Sequence, residues 1–475
     1  MKITPLFEWL RLRAGATIAV FVCALLTASP ATPASAAPEA ALATVKALQA
    51  RALEDGLAWR LLSSLTTDVG PRMAGSPGDA MAVAWARKEM EQLGFDRVWT
   101  EPVSFPRWER RSETASIKAP RFQPLAVTAL GGSPATQGTL EAEVVRFASL
   151  AELEAASADD VAGKIAFIDG RMERGITGKG YGDVVPQRSK GPYVAAEKGA
   201  RALIIRSVGT DNNRLAHTGA MSWMEDRAPV PSAAISNPDA DLLDAMLAEG
   251  QAVTIALELD CGLDGEATSY NVIGEFAGSD PDAGFILVGG HLDSWDLGTG
   301  AIDDGTGVSI TMAASRLVAD MKPRPRRGIR VVLFANEEQG VYGGRAYAEA
   351  HAEELSQHVI GAESDLGGGR IYQFRSRTGE GAEPALEELA ALLEPLGIPR
   401  VREPQAFGGA DVGQMVKRGM PAIDLDHDAT HYFDYHHTAN DTLDKVAPED
   451  LRFNVAAYVT FLWFAASTEA EFGPL

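Results

Sequence analysis

The sequence predicts an α/β fold in which helices flank a mostly parallel mixed sheet, with a second, β-rich module inserted into it. Three observations support this prediction. From Asn271 onward, short apolar runs alternate with segments of helical periodicity, as in parallel sheets with helical crossovers. Between about 120 and 260, short apolar runs are separated by Gly and Asp turns instead. The length of 475 residues also exceeds what one hydrophobic core usually holds.

The individual elements follow from the spacing of the apolar residues. Residues 38–93 have helical spacing, which is interrupted by the turn residues 75–78 and ended by Gly94. Alternating apolar residues then predict a strand over 98–105. In the second half, strands are predicted over 272–276, 285–289, 329–334, 359–362 and 422–425, and helices over 305–319 and 342–351.

The middle of the chain forms the predicted insertion. Apolar runs at 164–168 and 202–205 predict two of its strands, and the polar, Gly-rich stretch 175–188 between them predicts a mobile loop. We therefore place the insertion at 120–262, within a discontinuous α/β domain formed by 37–119 and 263–475.

The N-terminus has the composition of a signal peptide. Three basic residues precede the apolar run 16–26, and the small residues 34–36 suit a cleavage site. We therefore expect residues 1–36 to be removed during export to the periplasm or the medium. No later stretch has 18 uncharged apolar residues, which predicts a protein without membrane contact after cleavage. Cys261 is then the only cysteine, so an internal disulfide is excluded.

The charge of the chain argues against several classes of partner. The sequence has 65 acidic and 43 basic residues and a formal net charge of −22. Such a surface repels phosphate backbones and anionic lipids, so nucleic acid is not an expected partner. With 46% hydrophobic and 23% charged residues, the composition is that of a globular protein.

Acidic residues and histidines follow the predicted strands at the point where each strand ends. In open α/β sheets, ligands bind at the carboxyl ends of the strands, so these side chains are expected at one edge of the sheet. The segments are His291-Leu292-Asp293, Asp303-Asp304-Gly305, Asn336-Glu337-Glu338, Glu363-Ser364-Asp365 and, in a later loop, His431 with the pair His436-His437.

This set of side chains is typical of a site for two metal ions. Imidazole and carboxylate groups bind zinc, and one carboxylate can bridge two ions about 3.5–4 Å apart. Two such ions polarise a carbonyl group and supply hydroxide near neutral pH, while a carboxylate that is not a ligand moves the proton. Each segment alone also has a structural interpretation: Asp303-Asp304 is typical of a helix cap, and Glu337-Glu338 suits a helix N-terminus. Four strand ends together favour the metal site.

At these residues the sequence resembles the dizinc exopeptidase family that includes secreted bacterial leucyl aminopeptidases and glutamate carboxypeptidases, the latter branch most of all. The motifs occur in the family's order and cover nearly all of the mature chain, and the resemblance implies the zinc exopeptidase fold for 37–119 and 263–475. The motifs are Gly70-Pro71-Arg72, Gly75-Ser76-Pro77, 290–296, 300–305, 336–340, Glu363-Ser364-Asp365, and His436-His437-Thr438 followed by Asp441-Thr442.

Position by position, the resemblance implies ligands for two Zn²⁺ ions per chain. They are His291 and Asp365 for one ion, Glu338 and His437 for the other, and Asp303 for both. Glu337 is implied as the general base and later the acid, and Asp293 as the residue that orients His291.

Three choices between adjacent residues rest on the resemblance alone. They are Asp303 over Asp304, Glu337 over Glu338, and His437 over His436. His436 has a further candidate role, as a hydrogen-bond donor to the oxyanion that forms during hydrolysis.

The insertion resembles the protease-associated domain found within several of these peptidases, on residues 161–168 and 195–202. In the family, this domain lies beside the mouth of the active site, where it restricts the length of the substrate. The resemblance also suggests a homodimer.

The predicted function is an exported zinc exopeptidase that hydrolyses dipeptides or other short peptides, with a metal-bridging hydroxide and Glu337 as base. The alternative is an aminopeptidase that acts on longer peptides. A catalytically inactive receptor or binding module on the same fold is a third interpretation, but such relatives lose ligands, whereas every ligand position is filled here. A single-zinc acyl transferase resembling glutaminyl cyclase is the fourth.

Overall fold

The computed structural model describes residues 37–224, 226–473 and 475. The predicted signal peptide, 1–36, lies outside the described residues. Residues 42–475 form one compact unit. The boundaries of the insertion at 120 and 262 stay predictions.

Thirteen strands of the described chain join into one sheet. They are β1 (Arg97–Ala119), β2 (Gln123–Leu125), β3 (Val127–Ala129), β4 (Leu140–Phe147), β5 (Ile165–Ile168), β6 (Ala202–Arg206), β7 (Ser232–Ile235), β8 (Thr254–Phe276), β9 (Phe285–His291), β10 (Gly328–Phe334), β11 (His358–Glu363), β12 (Ile371–Arg377) and β13 (Ala422–His427). Their order is β12-β13-β11-β9-β10-β8-β4-β5-β6-β7-β3, and β1 pairs with β8 and β2 beside this path.

The helices fall before, between and after these strands. They are α1 (Ala37–Glu54), α2 (Leu57–Ser64), α3 (Pro77–Gln92), α4 (Leu150–Ala155), α5 (Ala158–Val161), α6 (Lys179–Val184), α7 (Pro186–Ser189), α8 (Gly191–Glu197), α9 (Asn237–Ala248), α10 (Thr306–Ala319), α11 (Tyr342–Ala350), α12 (Glu383–Leu393), α13 (Val412–Val416) and α14 (Pro448–Ser467). Short 3-10 or π turns lie at 65–69, 301–305, 352–357, 380–382, 394–396, 432–434 and 443–445.

The part of the sheet that carries the predicted site is mostly parallel, which confirms the predicted fold class. β9 runs parallel to β10 and β11, and β11 runs parallel to β13, whereas β8 and β12 are antiparallel to their neighbours. All seven residues of β9 and of β10 are buried, which explains why both strands are recognisable as apolar runs.

Helices cover both faces of these strands. Side chains alternate along β9, so Ile286 and Val288 pack in the cluster that contains α10 and α14, whereas Leu287 packs in the cluster with α11 and α13. Every residue of α10 except Arg316 is buried. Among the described residues, none of the helices combines the length and the apolar character needed to cross a membrane.

The residues predicted to form the insertion, 120–262, lie at the far end of the sheet. Strands β4 to β7 run parallel to one another, and the 23-residue strands β1 and β8 pair along their length and join the two regions. The predicted loop over 175–188 is wrong from Lys179 onward, where α6 and α7 form. Its glycines suggested a loop, but Gly178 begins α6 with a left-handed φ of 66°, and Tyr181 of α6 stacks on Phe433 with 4.9 Å between ring centroids.

Candidate metal centre

The polar segments predicted to form the site follow strands that end side by side. In the parallel registers, His291 at the end of β9 pairs with Phe334 at the end of β10. Glu363 at the end of β11 pairs with Gly289 of β9. The segments after these three strands therefore start at one edge of the sheet, and the loop with His436 and His437 reaches Asp303 at the same edge.

His291, Asp303 and Asp365 form the first group of ligand-type side chains. His291 Nε2 lies 3.0 Å from Asp303 Oδ1 and 3.5 Å from Asp365 Oδ1. His291 Nδ1 lies 3.0 Å from the carbonyl oxygen of Asp293. Because a carbonyl oxygen only accepts, Nδ1 carries the proton and Nε2 is left to bind a metal ion, which is the arrangement that metal-binding imidazoles need.

The second group is built around the same Asp303. His437 Nε2 lies 2.9 Å from Glu338 Oε2 and 3.3 Å from Asp303 Oδ2. His436 Nε2 lies 3.6 Å from the same Asp303 oxygen, and its ring stacks on His437 with 3.5 Å between centroids. The two oxygens of Asp303 thus face histidines from two separate segments. Among the described residues, Asp303 belongs to two groups of side chains that could hold a metal ion, one with His291 and Asp365 and one with His436 and His437.

The adjacent Asp304 has different partners. Its Oδ2 accepts a hydrogen bond from the backbone N–H of His291 at 3.2 Å, and its Oδ1 accepts one from Gly307 at 3.0 Å. A Cβ atom at Gly290 would lie 2.3 Å from Asp304 Oδ2, and one at Gly307 would lie 2.4 Å from it. Asp304 therefore ties the end of β9 to the start of α10 and needs glycine on both sides, which leaves Asp303 to face the histidines.

Asp293 connects the end of β9 to the two glutamates. It was predicted to orient His291, and its carbonyl oxygen does accept the Nδ1–H bond, whereas its carboxylate is 3.6 Å from that nitrogen. The carboxylate instead accepts hydrogen bonds from the backbone N–H groups of Glu337 at 3.0 Å and Glu338 at 3.3 Å. One residue thus fixes His291 and the turn that carries both glutamates.

The site concentrates buried acidic groups. Burial raises the pKa of Glu337 well above its usual range, and burial also raises the pKa of Glu338 and Asp365. Burial opposes the charged form of Asp303, but the facing imidazoles of His291 and His437 outweigh it and hold the pKa of Asp303 well below the usual range. Burial opposes the charged form of His437, but the Glu338 and Asp303 carboxylates outweigh it and raise the pKa of His437 to about 9. Each ionised carboxylate here needs a positive partner.

A divalent cation fits this set of donors. Asp303 Oδ2 and Glu338 Oε1 are buried, and neither accepts a hydrogen bond from the described residues. Buried polar atoms rarely lack a partner, so such a pair points to a bound group. Imidazole nitrogen and carboxylate oxygen are the donors that zinc takes in catalytic sites.

Arg72 stabilises the loop between two residues of the site, and no role for it follows from the sequence beyond its place in a motif. Its guanidinium is buried and donates hydrogen bonds to the carbonyl oxygens of Leu292, Thr299 and Gly300 at 2.6, 2.7 and 2.7 Å. These carbonyls lie near the two ends of the segment that connects His291 to Asp303. No periodicity distinguishes a buried arginine from an exposed one, so this role could not be predicted.

A cavity of about 520 Å³ adjoins the site at Asp365. The insertion contributes one wall through 177–181, and β12 and β13 contribute another. Aromatic rings line much of the cavity. Arg375 also lines it and forms salt bridges with Asp424 at 3.0 Å and Asp426 at 2.6 Å. The cavity therefore combines aromatic rings with several charged side chains.

Comparison with known proteins gives the family. Residues 271–461 match the model of peptidase family M28. Carboxypeptidase Q of Xenopus laevis is 34% identical over 411 residues, which cover 86% of this chain and 85% of that protein. The chain belongs to peptidase family M28. The predicted resemblance and the predicted enzyme class, a metallopeptidase, are thereby confirmed.

One further relative and two solved structures show the same similarity in sequence or in fold. Human carboxypeptidase Q is 32% identical over 409 residues, 86% of this chain and 85% of that protein. The solved structure of a peptidase M28 precursor from Shewanella amazonensis SB2B has a TM-score of 0.90 and 49% identity, and the match covers 92% of this chain and 99% of that one. An aminopeptidase from Aneurinibacillus sp. strain AM-1 has a TM-score of 0.62 at 24% identity over 90% of this chain and 97% of that one, a likeness of fold alone.

Proposed function

We propose that the chain is an exported exopeptidase that binds two zinc ions and hydrolyses dipeptides or other short peptides. The observation that carries this proposal is the position of Asp303 between two groups of ligand-type side chains, one with His291 and one with His437. A carboxylate that faces two imidazoles from separate segments suits a pair of bridged ions. The signal-peptide composition of residues 1–36 supports export.

The side chains of the centre have distinct roles in this proposal. His291 and Asp365 hold one ion, Glu338 and His437 hold the other, and Asp303 holds both. Bound zinc polarises a carbonyl group and lowers the pKa of water. The Glu337 carboxylate takes a proton from the attacking water and returns it to the leaving nitrogen. Because burial raises the pKa of Glu337, this carboxylate accepts a proton more readily than an exposed one.

His436 is proposed as a donor to the substrate oxyanion. Its Nε2 lies 3.6 Å from Asp303 Oδ2, and its buried Nδ1 has no hydrogen-bond partner among the described residues. Burial lowers the pKa of His436 well below its usual range, so the ring is neutral and has one N–H group to donate.

The cavity beside Asp365 supports a short substrate. Its volume of about 520 Å³ lies in the range of cavities that enclose small ligands, and the insertion closes one side with 177–181. A substrate with its scissile bond at the metal centre has its side chain among Tyr372, Phe407 and Phe433. Long peptides would meet the wall formed by the insertion. The carboxypeptidase Q relatives agree with an exopeptidase.

The test is to measure zinc content and the hydrolysis of a dipeptide panel on purified mature protein, before and after chelation. We expect close to two zinc ions per chain, and activity that is lost on chelation and restored by zinc. Dipeptides with a blocked N-terminus or C-terminus then separate the two exopeptidase classes: a dipeptidase needs both termini free, whereas an aminopeptidase accepts a C-terminal extension. A folded protein without zinc and without turnover would reject the proposal and favour the binding module.

A further inference from the structure

We propose that the insertion completes one half of the metal centre, and that His217 and Asp211 are positioning residues for the ligand His437. This inference rests on the proposed two-zinc function. The predicted insertion residue Thr218 exchanges two hydrogen bonds with His437: its backbone N–H donates to the His437 carbonyl at 3.0 Å, and its carbonyl oxygen lies 3.2 Å from His437 Nδ1.

The contact at Nδ1 determines which ring nitrogen of His437 is available. Two groups lie at this nitrogen: the Thr218 carbonyl oxygen at 3.2 Å, which only accepts, and Arg188 Nη1 at 3.4 Å, which only donates and also reaches the Thr218 carbonyl at 3.3 Å. In the proposed arrangement Arg188 donates to that carbonyl, and Nδ1 of His437 donates to it as well and carries the proton. Nε2 is then the nitrogen that would bind the ion shared with Glu338 and Asp303, whose carboxylate oxygens lie 2.9 and 3.3 Å from it. Outer hydrogen bonds of this kind orient metal-binding imidazoles. For His437 the partner comes from the insertion.

His217, the residue before Thr218, holds the residue before His437. Its Nδ1 lies 2.7 Å from the His436 carbonyl oxygen, which can only accept, and its Nε2 lies 2.7 Å from Asp211 Oδ1. The side chains of His217 and Asp211 are only 1% and 3% exposed. Asp211 Oδ2 in turn accepts the backbone N–H of Asn213 at 2.7 Å. Both nitrogens of the His217 imidazole therefore have fixed partners. His217 contacts His436, and Thr218 contacts His437.

The backbone at His437 needs this support. Its φ of 62° lies in the left-handed region, which a residue with a Cβ atom rarely adopts. The two segments also approach closely, since a Cβ atom at Gly219 would lie 2.7 Å from His437 Nδ1 and 2.2 Å from Arg188 Nη1. Two fixed residues of the insertion thus hold a ligand in a backbone conformation that it would not keep alone.

The other half of the centre is held differently. The partner of His291 Nδ1 is the carbonyl oxygen of Asp293, two residues along the same chain segment. A loosened contact at His217 should therefore weaken the ion held by Glu338 and His437, and leave the ion held by His291 and Asp365 unchanged. This asymmetry separates a positioning role from general destabilisation.

The experiment measures the two zinc dissociation constants of the mature, full-length protein by competition with a chromophoric chelator. In His217→Ala, we expect one ion to bind about 10- to 100-fold more weakly and the other to bind as in the parent. His217→Gln keeps one N–H group for the His436 carbonyl and should recover part of the affinity. The control is His358→Ala, which removes another buried imidazole, at the opposite end of β11 from the site.

If His217→Ala does not fold, the inference is tested on His217→Gln by a second measurement, the thermal unfolding temperature with and without zinc. The rise in thermal unfolding temperature on addition of zinc should be smaller in His217→Gln than in the parent. Parent-like affinities for both ions in a folded His217 variant would overturn the inference, and so would equal weakening of both ions or an equal loss in His358→Ala. A parent protein that binds no zinc would instead reject the proposed function, before any variant is measured.

Discussion

Replacement of Arg72 by methionine should loosen the segment between two proposed zinc ligands, His291 and Asp303. The guanidinium donates three hydrogen bonds of 2.6–2.7 Å to carbonyl oxygens of that segment. Methionine fills a similar volume but has no donor. The substitution therefore leaves three buried acceptors without their partner while it changes the packing little.

The size of the effect follows from these contacts. A hydrogen bond with a charged donor contributes about 1.5–3 kcal/mol, so three would contribute roughly 5 kcal/mol or more. Part of this is offset, because burial opposes the charge of Arg72 and lowers its pKa in spite of nearby carboxylates. Removal of one partner from a buried charged set usually costs about 3–5 kcal/mol. We expect Arg72→Met to lower the free energy of unfolding by about 4 kcal/mol.

The assay is urea-induced unfolding of the mature protein, followed by circular dichroism and tryptophan fluorescence, whose transitions must coincide for a two-state analysis. Zinc content is measured on the same samples and should fall in the variant. Arg377→Met is the control, since Arg377 is exposed at the end of β12, and it should change stability by less than about 0.5 kcal/mol. A loss below about 1 kcal/mol in Arg72→Met, with parental zinc content, would refute the reasoning.

Three further predictions concern the centre and the far end of the sheet. Glu337→Gln should lower turnover about 10²- to 10⁴-fold at unchanged zinc content, and full turnover would reject its role as base. Asp303→Asn should weaken both zinc ions in equilibrium dialysis, because both groups share this carboxylate, and one ion at parental affinity would contradict that. Burial lowers the pKa of His358 to about 4, so its contribution to stability is present above the unfolded pKa of about 6.5 and is lost as pH falls towards 4. Between pH 8 and pH 5 the loss is about 2 kcal/mol, so His358→Gln should show a shallower acid dependence in urea unfolding than the parent; equal dependence would contradict this.

The strand ends of the site could be predicted from the sequence because each parallel strand is buried on both faces. β9 was predicted at 285–289 and is observed at 285–291, and the polar residues that follow it are at the site. The choice between Asp303 and Asp304 could not be predicted from the residues alone. Both are carboxylates in an irregular turn before α10, and only the backbone there decides which one faces His291 and which one accepts N–H groups.

The contribution of the insertion could not be predicted for a different reason. His437 contacts Thr218 across 219 positions of sequence, and no local pattern at either residue indicates the other. The loop predicted over 175–188 is wrong from Lys179 onward for the same reason, a contact between residues far apart in the sequence. Its glycines favour a loop by local rules, whereas α6 is held by contacts with Phe433, far along the chain.

The α/β region and the predicted insertion therefore depend on each other for the proposed metal centre, although they are separate in the sequence. The α/β region supplies the proposed ligands, but the insertion supplies the partner of His437 Nδ1 and one wall of the cavity beside Asp365. Strand β8 (Thr254–Phe276) crosses the predicted boundary at 262 and pairs with β1, which ends at Ala119, directly before the insertion. A chain without 120–262 would keep His291, Asp303 and Asp365, yet lose the contacts that hold His437. In the proposed function and the proposed role of His217, the insertion is therefore both a part of the metal centre and a limit on the length of the substrate.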